Sequence, residues 1–164
     1  MRTNIFLGLG SNIDDRVGHI NTATSLIRSC SDVKIVKSSL IYETEPWGIR
    51  NQIAFCNQVI MLESSFLPED LLNFVKDIEV KTGRTQSEKW HEREIDVDIL
   101  FYDTEVVSNE RFSIPHREVQ NRKFVLVPMC EIAKDFIHPV LNKSMEQLLN
   151  ETKDNSEVKL YKQR

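Results

Sequence analysis

Apolar and polar positions follow two rhythms along this chain. Ile5-Phe6-Leu7-Gly8-Leu9 is an unbroken apolar run ending in Gly10-Ser11-Asn12. Such a run predicts a strand buried on both faces. Gly8 inside it predicts that another group approaches the backbone there, and a tight strand-to-helix turn is the default for Gly10-Ser11-Asn12. From Arg16 to Ser29 the spacing becomes helical, with Val17, Ile20, Ala23/Thr24 and Ile27 on one face, and Asp14 or Asp15 as the cap. Val33 to Tyr42 is rich in β-branched residues and predicts a second strand. Residues 43–52 contain Pro46 and Gly48 and have no period, which predicts a loop.

Phe55 to Leu62 predicts a third strand. Pro68, Glu69 and Asp70 suit the first turn of a helix. Leu71, Leu72, Val75, Ile78 and Thr82 form its buried stripe, and Gly83 closes it. A polar loop over 83–92 follows, then a fourth strand from Ile95 to Phe101, with Glu105–Val107 as a candidate neighbour after a turn at Asp103-Thr104. Beyond this the pattern is shorter and less regular, apart from a helix over about 144–151. The tail from Thr152 is polar and expected to fray. The order strand, helix, strand, strand, helix, strand is the split βαβ pattern of an α+β ferredoxin-like sandwich. Two helices would cover one face of a mostly antiparallel sheet. With no repeat or linker, residues 1–164 are expected to form a single domain.

Composition narrows the class. An apolar fraction of 40% and a charged fraction of 28% are those of a globular protein. The net charge of -4 argues against a general nucleic-acid binder, which needs excess Lys and Arg to neutralise phosphates. Cys30, Cys56 and Cys130 form no CxxC, so neither a zinc site nor a disulfide framework is indicated. Reduced, partly buried thiols suit the cytoplasm. The apolar stretch Ile5–Leu9 is too short for a membrane span or a signal-peptide core.

Candidate chemistry centres on Arg93-Glu94-Ile95-Asp96-Val97-Asp98-Ile99-Leu100. Residues two apart on a strand share a face, so Asp96 and Asp98 point the same way while Ile95, Val97 and Ile99 pack on the other side. Two adjacent carboxylates repel each other. A magnesium ion relieves that, since it takes a few carboxylates together with waters and phosphates. A solvated strand face is the other reading. Around this strand lie Arg84, Lys89, Arg93, Arg111, His116, Arg117, Arg122 and Lys123. Guanidinium groups suit phosphate because their planar fork donates two parallel hydrogen bonds, and a metal with arginines is what phosphoryl-type transfer requires. Neither GxxxxGK[ST] nor GxGxxG is present. Phe55 and Asn57, two apart on a predicted strand, can together grip a flat heterocycle.

Several segments in order resemble the 6-hydroxymethyl-7,8-dihydropterin pyrophosphokinase family. They are Ile5 to Asn12, Tyr42-Glu43-Thr44-Glu45-Pro46-Trp47-Gly48, Phe55-Cys56-Asn57, Ile78-Glu79 with Gly83-Arg84, Arg93 to Leu100, and Pro115-His116 with Asn121-Arg122-Lys123-Phe124. The resemblance implies transfer of diphosphate from ATP to the hydroxymethyl group of a reduced pterin, release of AMP, and two Mg2+ ions held by Asp96 and Asp98. It implies Arg84 and Arg93 as catalytic residues beside those aspartates. Thr44, Glu45, Trp47, Gly48, Phe55, Asn57 and Phe124 would bind the pterin. Glu79, Lys89, Trp90, Ile99, Arg111, Ser113, His116, Arg117 and Arg122 would bind the nucleotide. The loops at 10–15, 43–53 and 83–92 would close over the substrates. Thr85-Gln86-Ser87-Glu88 makes the third loop shorter and less basic than is usual in the family. A monomer or weak homodimer with no nucleic-acid or membrane partner is expected. The rivals are a non-catalytic nucleotide or nucleic-acid binder, which would release no AMP, and a metal-dependent phosphohydrolase, which would need no pterin.

Overall fold

A computed structural model describes residues 1–44, 53–83 and 94–163. Its elements are β1 (Arg2–Ser11), α1 (Arg16–Arg28), β2 (Val33–Ser38), β3 (Tyr42–Thr44), β4 (Phe55–Ser64), α2 (Pro68–Lys81), β5 (Asp96–Tyr102), β6 (Val107–Ser108), β7 (Ser113–Ile114), α3 (Lys123–Ala133), α4 (Met145–Glu151) and β8 (Val158–Leu160). The main sheet runs β5-β1-β4-β3-β8, with β2 also on β4, and its ladders are antiparallel. β2 and β3 pair with successive stretches of β4, so they are one strand with a break. This is the ferredoxin-like sandwich that the element order predicts.

The local signals act where the sequence places them. Asp15, not Asp14, caps α1 by accepting from the Gly18 N–H at 3.0 Å. Pro68 opens α2, and Gly83 follows its end with φ +101°, a left-handed conformation that glycine adopts without strain. Ser144 and Gln147 form a reciprocal capping box on α4.

Alternation along β1 builds two cores. Ile5, Leu7 and Leu9 face α1 and α2, meeting Ile20, Ala23, Ile27, Leu71, Val75 and Ile78. Phe6 faces the other way, into Val59, Leu100, Phe101, Leu126, Met129, Met145 and Leu148. The sheet is thus covered on both faces, where two helices on one face were expected. The missing cover is α3. Its sequence KFVLVPMCEIA carries Pro128 inside the helix, and no side chain of its own caps it. Burial against the sheet, not propensity or periodicity, selects the helix there.

Five further expectations change. β1 runs on through Ser11, so Gly10-Ser11 is strand and not turn. A Cβ at Gly8 would meet Leu100 at 3.4 Å, an ordinary contact, so no unusually close approach occurs there. The strand predicted over 33–42 breaks at Ser39, whose N–H donates to the Val59 carbonyl and whose hydroxyl accepts from the Val59 N–H. Val107–Ser108 pairs with Ser113–Ile114 in a separate hairpin instead of lying beside β5. The tail also does not simply fray: β8 pairs with β3 from Tyr42↔Leu160 to Thr44↔Val158.

Candidate functional site

Strand register assembles the site. Asp96 on β5 pairs with Gly10 on β1, Gly10 pairs with Asn57 on β4, and Asn57 pairs with Tyr42 on β3. Asp98, Gly8 and Val59 form the next row. Directly paired residues share a face, so both aspartates and Asn57 lie on the side of the sheet that α3 covers. Thr44 and Phe55 pair with each other two positions further along and share that face. Ile95, Val97 and Ile99 are buried on the opposite face, as the alternation predicts.

The glycines matter as much as the polar residues. A Cβ at Gly10 would stand 2.8 Å from Asn57 Oδ1, closer than real Cβ contacts come. Gly10 therefore makes room for the Asn57 carboxamide. That carboxamide is 7% exposed, and its Nδ2 donates to Thr44 Oγ1 at 2.9 Å. Thr44 is itself buried. Asn57 is thus a buried amide with a fixed orientation, as a recognition group requires.

A cleft of about 430 Å³ opens beside β5. Its walls include Asp98, Ile99, Arg111, Ser113, His116 and Arg117, six residues that the sequence assigned to the nucleotide or metal site. Arg111 is held against α2 by Glu69 at 2.6 Å and Asn73 at 2.8 Å. The His116 N–H donates to the Leu100 carbonyl at 2.9 Å, and its Nδ1 accepts from the Glu118 N–H at 3.2 Å. Burial holds the His116 imidazole below its ordinary pKa, an effect that the Asp98 charge opposes and the Arg122 charge reinforces. A neutral ring with Nδ1 accepting carries its proton on Nε2.

Glu79 is buried, and its Oε1 accepts from the Val97 N–H at 2.9 Å. It thereby supports the strand that carries the aspartates. Phe124 sits half-buried in the first turn of α3, with the Arg122 guanidinium 5.7 Å from its ring centre. Tyr42 donates to Glu131, and burial together with that carboxylate pushes its phenol up to about 12.

Residues 6–134 match the family model described as 7,8-dihydro-6-hydroxymethylpterin-pyrophosphokinase. The chain belongs to this family. A pyrophosphokinase from Aquifex aeolicus is 37% identical over 143 residues, covering 87% of this chain and 88% of that protein. One from Haemophilus influenzae is 35% identical, covering 94% of this chain and 96% of that protein. The fold matches a solved structure of Plasmodium falciparum HPPK-DHPS wild type with pteroate at a TM-score of 0.72 and 16% identity. The match covers 92% of this chain but only 44% of that one, so the chain spans less than half of the solved protein. As a pyrophosphokinase of this family it transfers diphosphate from ATP to 6-hydroxymethyl-7,8-dihydropterin in folate synthesis. Kinases of this kind generally use Mg2+ with ATP.

The structure thus brings Asp96, Asp98, Thr44, Phe55, Asn57 and Phe124 to one sheet face, and Ile99, Arg111, Ser113, His116 and Arg117 to the adjoining cleft. Glu45, Trp47, Gly48, Arg84, Lys89, Trp90 and Arg93 lie outside the described residues. Two residues adjoining these positions carry no assignment from the sequence. Gly10 stands in the first motif, yet only its register with Asn57 reveals its role. Asp154 lies in a polar tail with no local signal. Among the described residues, no helix is long and apolar enough to cross a membrane, and no group of three His, Cys, Asp or Glu side chains gathers to hold a metal.

Proposed function

We propose that Asp96 and Asp98 would hold two Mg2+ ions, which would neutralise charge on the triphosphate of ATP. The observation that carries this is their shared face on β5, where Asp98 also lines the cleft with Arg111, Ser113, His116 and Arg117. Two half-buried carboxylates, with no third protein ligand among the described residues, fit a cation that keeps waters and substrate oxygens as its remaining ligands. Bound there, magnesium supplies charge neutralisation to the transferring group.

The chain's own residues do the rest by positioning. Arg111, Arg117 and Arg122 bind the nucleotide electrostatically, with Ser113, Ile99 and the Nε2–H of His116 shaping its seat. Lys89 and Trp90 join that site from their loop, while Arg84 and Arg93 stabilise the diphosphate in flight. Phe55 and Phe124 stack on the two faces of the pterin. Asn57, oriented by Thr44 and given space by Gly10, reads the ring edge together with Glu45, Trp47 and Gly48. The pterin hydroxyl then attacks the β-phosphorus in line and gives its proton to Asp96 or to water, the bond to the α-phosphate oxygen breaks, and AMP leaves. The enzyme works as a single domain in the cytoplasm, as a monomer or weak homodimer.

The test is Asp98→Ala, assayed for AMP release from ATP and hydroxymethyldihydropterin in magnesium. Turnover should fall by at least about 10²-fold while the thermal midpoint stays near that of the parent, because Asp98 is only half-buried. Parent-like turnover in this variant overturns the metal assignment.

A further inference from the structure

We propose that residues 152–161 form a strap that sets the spacing between the two walls of the acceptor site, with Asp154 as its positioning residue. The inference rests on the pterin-site reading above and adds to it what holds Phe124 in place.

α3 begins without a cap of its own. Arg122 stands at the N-cap position and makes no side-chain capping bond, and the first turn carries no acidic residue. The leading N–H groups of a helix have no partner within the helix and favour a nearby negative charge. Asp154 supplies both from a remote part of the chain. Its Oδ2 accepts from the Lys123 N–H at 2.8 Å. Its Oδ1 is held by the Ser156 N–H at 2.9 Å and the Ser156 hydroxyl at 2.6 Å. Burial alone would push the Asp154 carboxyl up, but these hydrogen bonds and the Lys123 charge hold it below its ordinary value. The Asp154–Lys123 bond fixes the peptide between Arg122 and Lys123, next to Phe124.

The same segment then crosses to the opposite wall. β8 pairs with β3, placing Val158 opposite Thr44, the residue that orients Asn57. The Tyr161 N–H donates to the Ile41 carbonyl at 2.9 Å. Arg16 lies 5.7 Å from the Tyr161 ring centre, pairs with Glu43 at 2.8 Å and donates to the Ala54 carbonyl at 2.6 Å. One short segment therefore ties the turn that carries Phe124 to the strands that carry Thr44, Phe55 and Asn57. The match to the family model ends at residue 134, so this tie lies beyond what that model describes.

The experiment compares Asp154→Ala, Asp154→Asn, Ser156→Ala and Phe124→Ala in the full chain. Steady-state AMP release in magnesium gives kcat and the KM of each substrate. Loss of one hydrogen bond to a charged acceptor should raise the KM for hydroxymethyldihydropterin about fivefold in Asp154→Ala, with the KM for ATP within about twofold. Asp154→Asn keeps an acceptor oxygen and should recover most of that loss. Ser156→Ala loosens Asp154 without removing it, so it should move the acceptor KM the same way by about twofold and serves if Asp154→Ala fails to fold. A merely structural role would lower the amount of active enzyme and hence kcat, leaving both KM values in place. That result, or an unchanged acceptor KM in Asp154→Ala while Phe124→Ala raises it, overturns the strap. An unchanged acceptor KM in Phe124→Ala overturns the pterin-clamp reading instead.

Discussion

Gly10→Ala isolates the contact on which the Asn57 orientation depends. Gly10 lies in the extended strand β1, where alanine normally adds about 0.4–1 kcal/mol of stability by restricting the unfolded chain. Here the new Cβ would sit 2.8 Å from Asn57 Oδ1. The carboxamide must rotate away, and its 2.9 Å bond to the buried Thr44 hydroxyl breaks. Leaving a buried donor unpaired costs about 1–3 kcal/mol, so the clash outweighs the entropic gain and the net loss is about 1–2 kcal/mol. For a domain of this size that lowers the thermal midpoint by about 2–8 °C. The assay is thermal unfolding by circular dichroism, without ligands, on a cycle of parent, Gly10→Ala, Asn57→Ala and the double variant. With Asn57 truncated the clash is gone, so Gly10→Ala in that background should be neutral or slightly stabilising. Equal destabilisation in both backgrounds, or a raised midpoint in Gly10→Ala alone, would refute the reasoning.

Two other outcomes follow from the same contacts. His138 is 4% exposed and its Nδ1 accepts from the Val140 and Leu141 N–H groups at 3.1 Å, so burial holds its imidazole below the ordinary 6.5. The unfolded chain then takes up the proton first, and urea stability should fall as the pH drops below about 6.5 towards the lowered folded value. His138→Asn keeps an acceptor but no titration, so the difference between parent and variant should show that slope; parallel pH profiles would contradict it. Glu79→Leu leaves the Val97 N–H without its buried acceptor and should cost about 1–3 kcal/mol in denaturant unfolding, whereas Glu79→Gln should retain most of the stability; equal losses in the two variants would show that the hydrogen bond is not the cause.

The face assignments of Asp96 and Asp98 were legible because a strand's period is two and Ile95, Val97 and Ile99 mark the packed side. The ends of α1 and α2 were legible because Asp15, Pro68 and Gly83 each stand within one turn of the helix they start or close. The path of α3 was not, since Pro128 and the β-branched valines argue against a helix until the sheet offers an apolar surface to cover. The break at Ser39 was also hidden, because it depends on Val59, twenty positions away, sharing its backbone groups.

Short-range features were readable along the chain: the strands β1, β4 and β5, the helices α1 and α2, the direction of Asp96 and Asp98, and the order of motifs that marks the pyrophosphokinase family. Whatever depends on register between distant strands emerged with the folded chain. The fold set Gly10 between Asp96 and Asn57, pairing that no local spacing encodes. It also brought the Asp154 carboxylate to the Lys123 N–H, thirty-one positions back along the chain. The physical reason is the same in each case. A hydrogen bond or a steric gap is satisfied by whatever the fold brings within about 3 Å, and the chain between the two partners carries no trace of that distance.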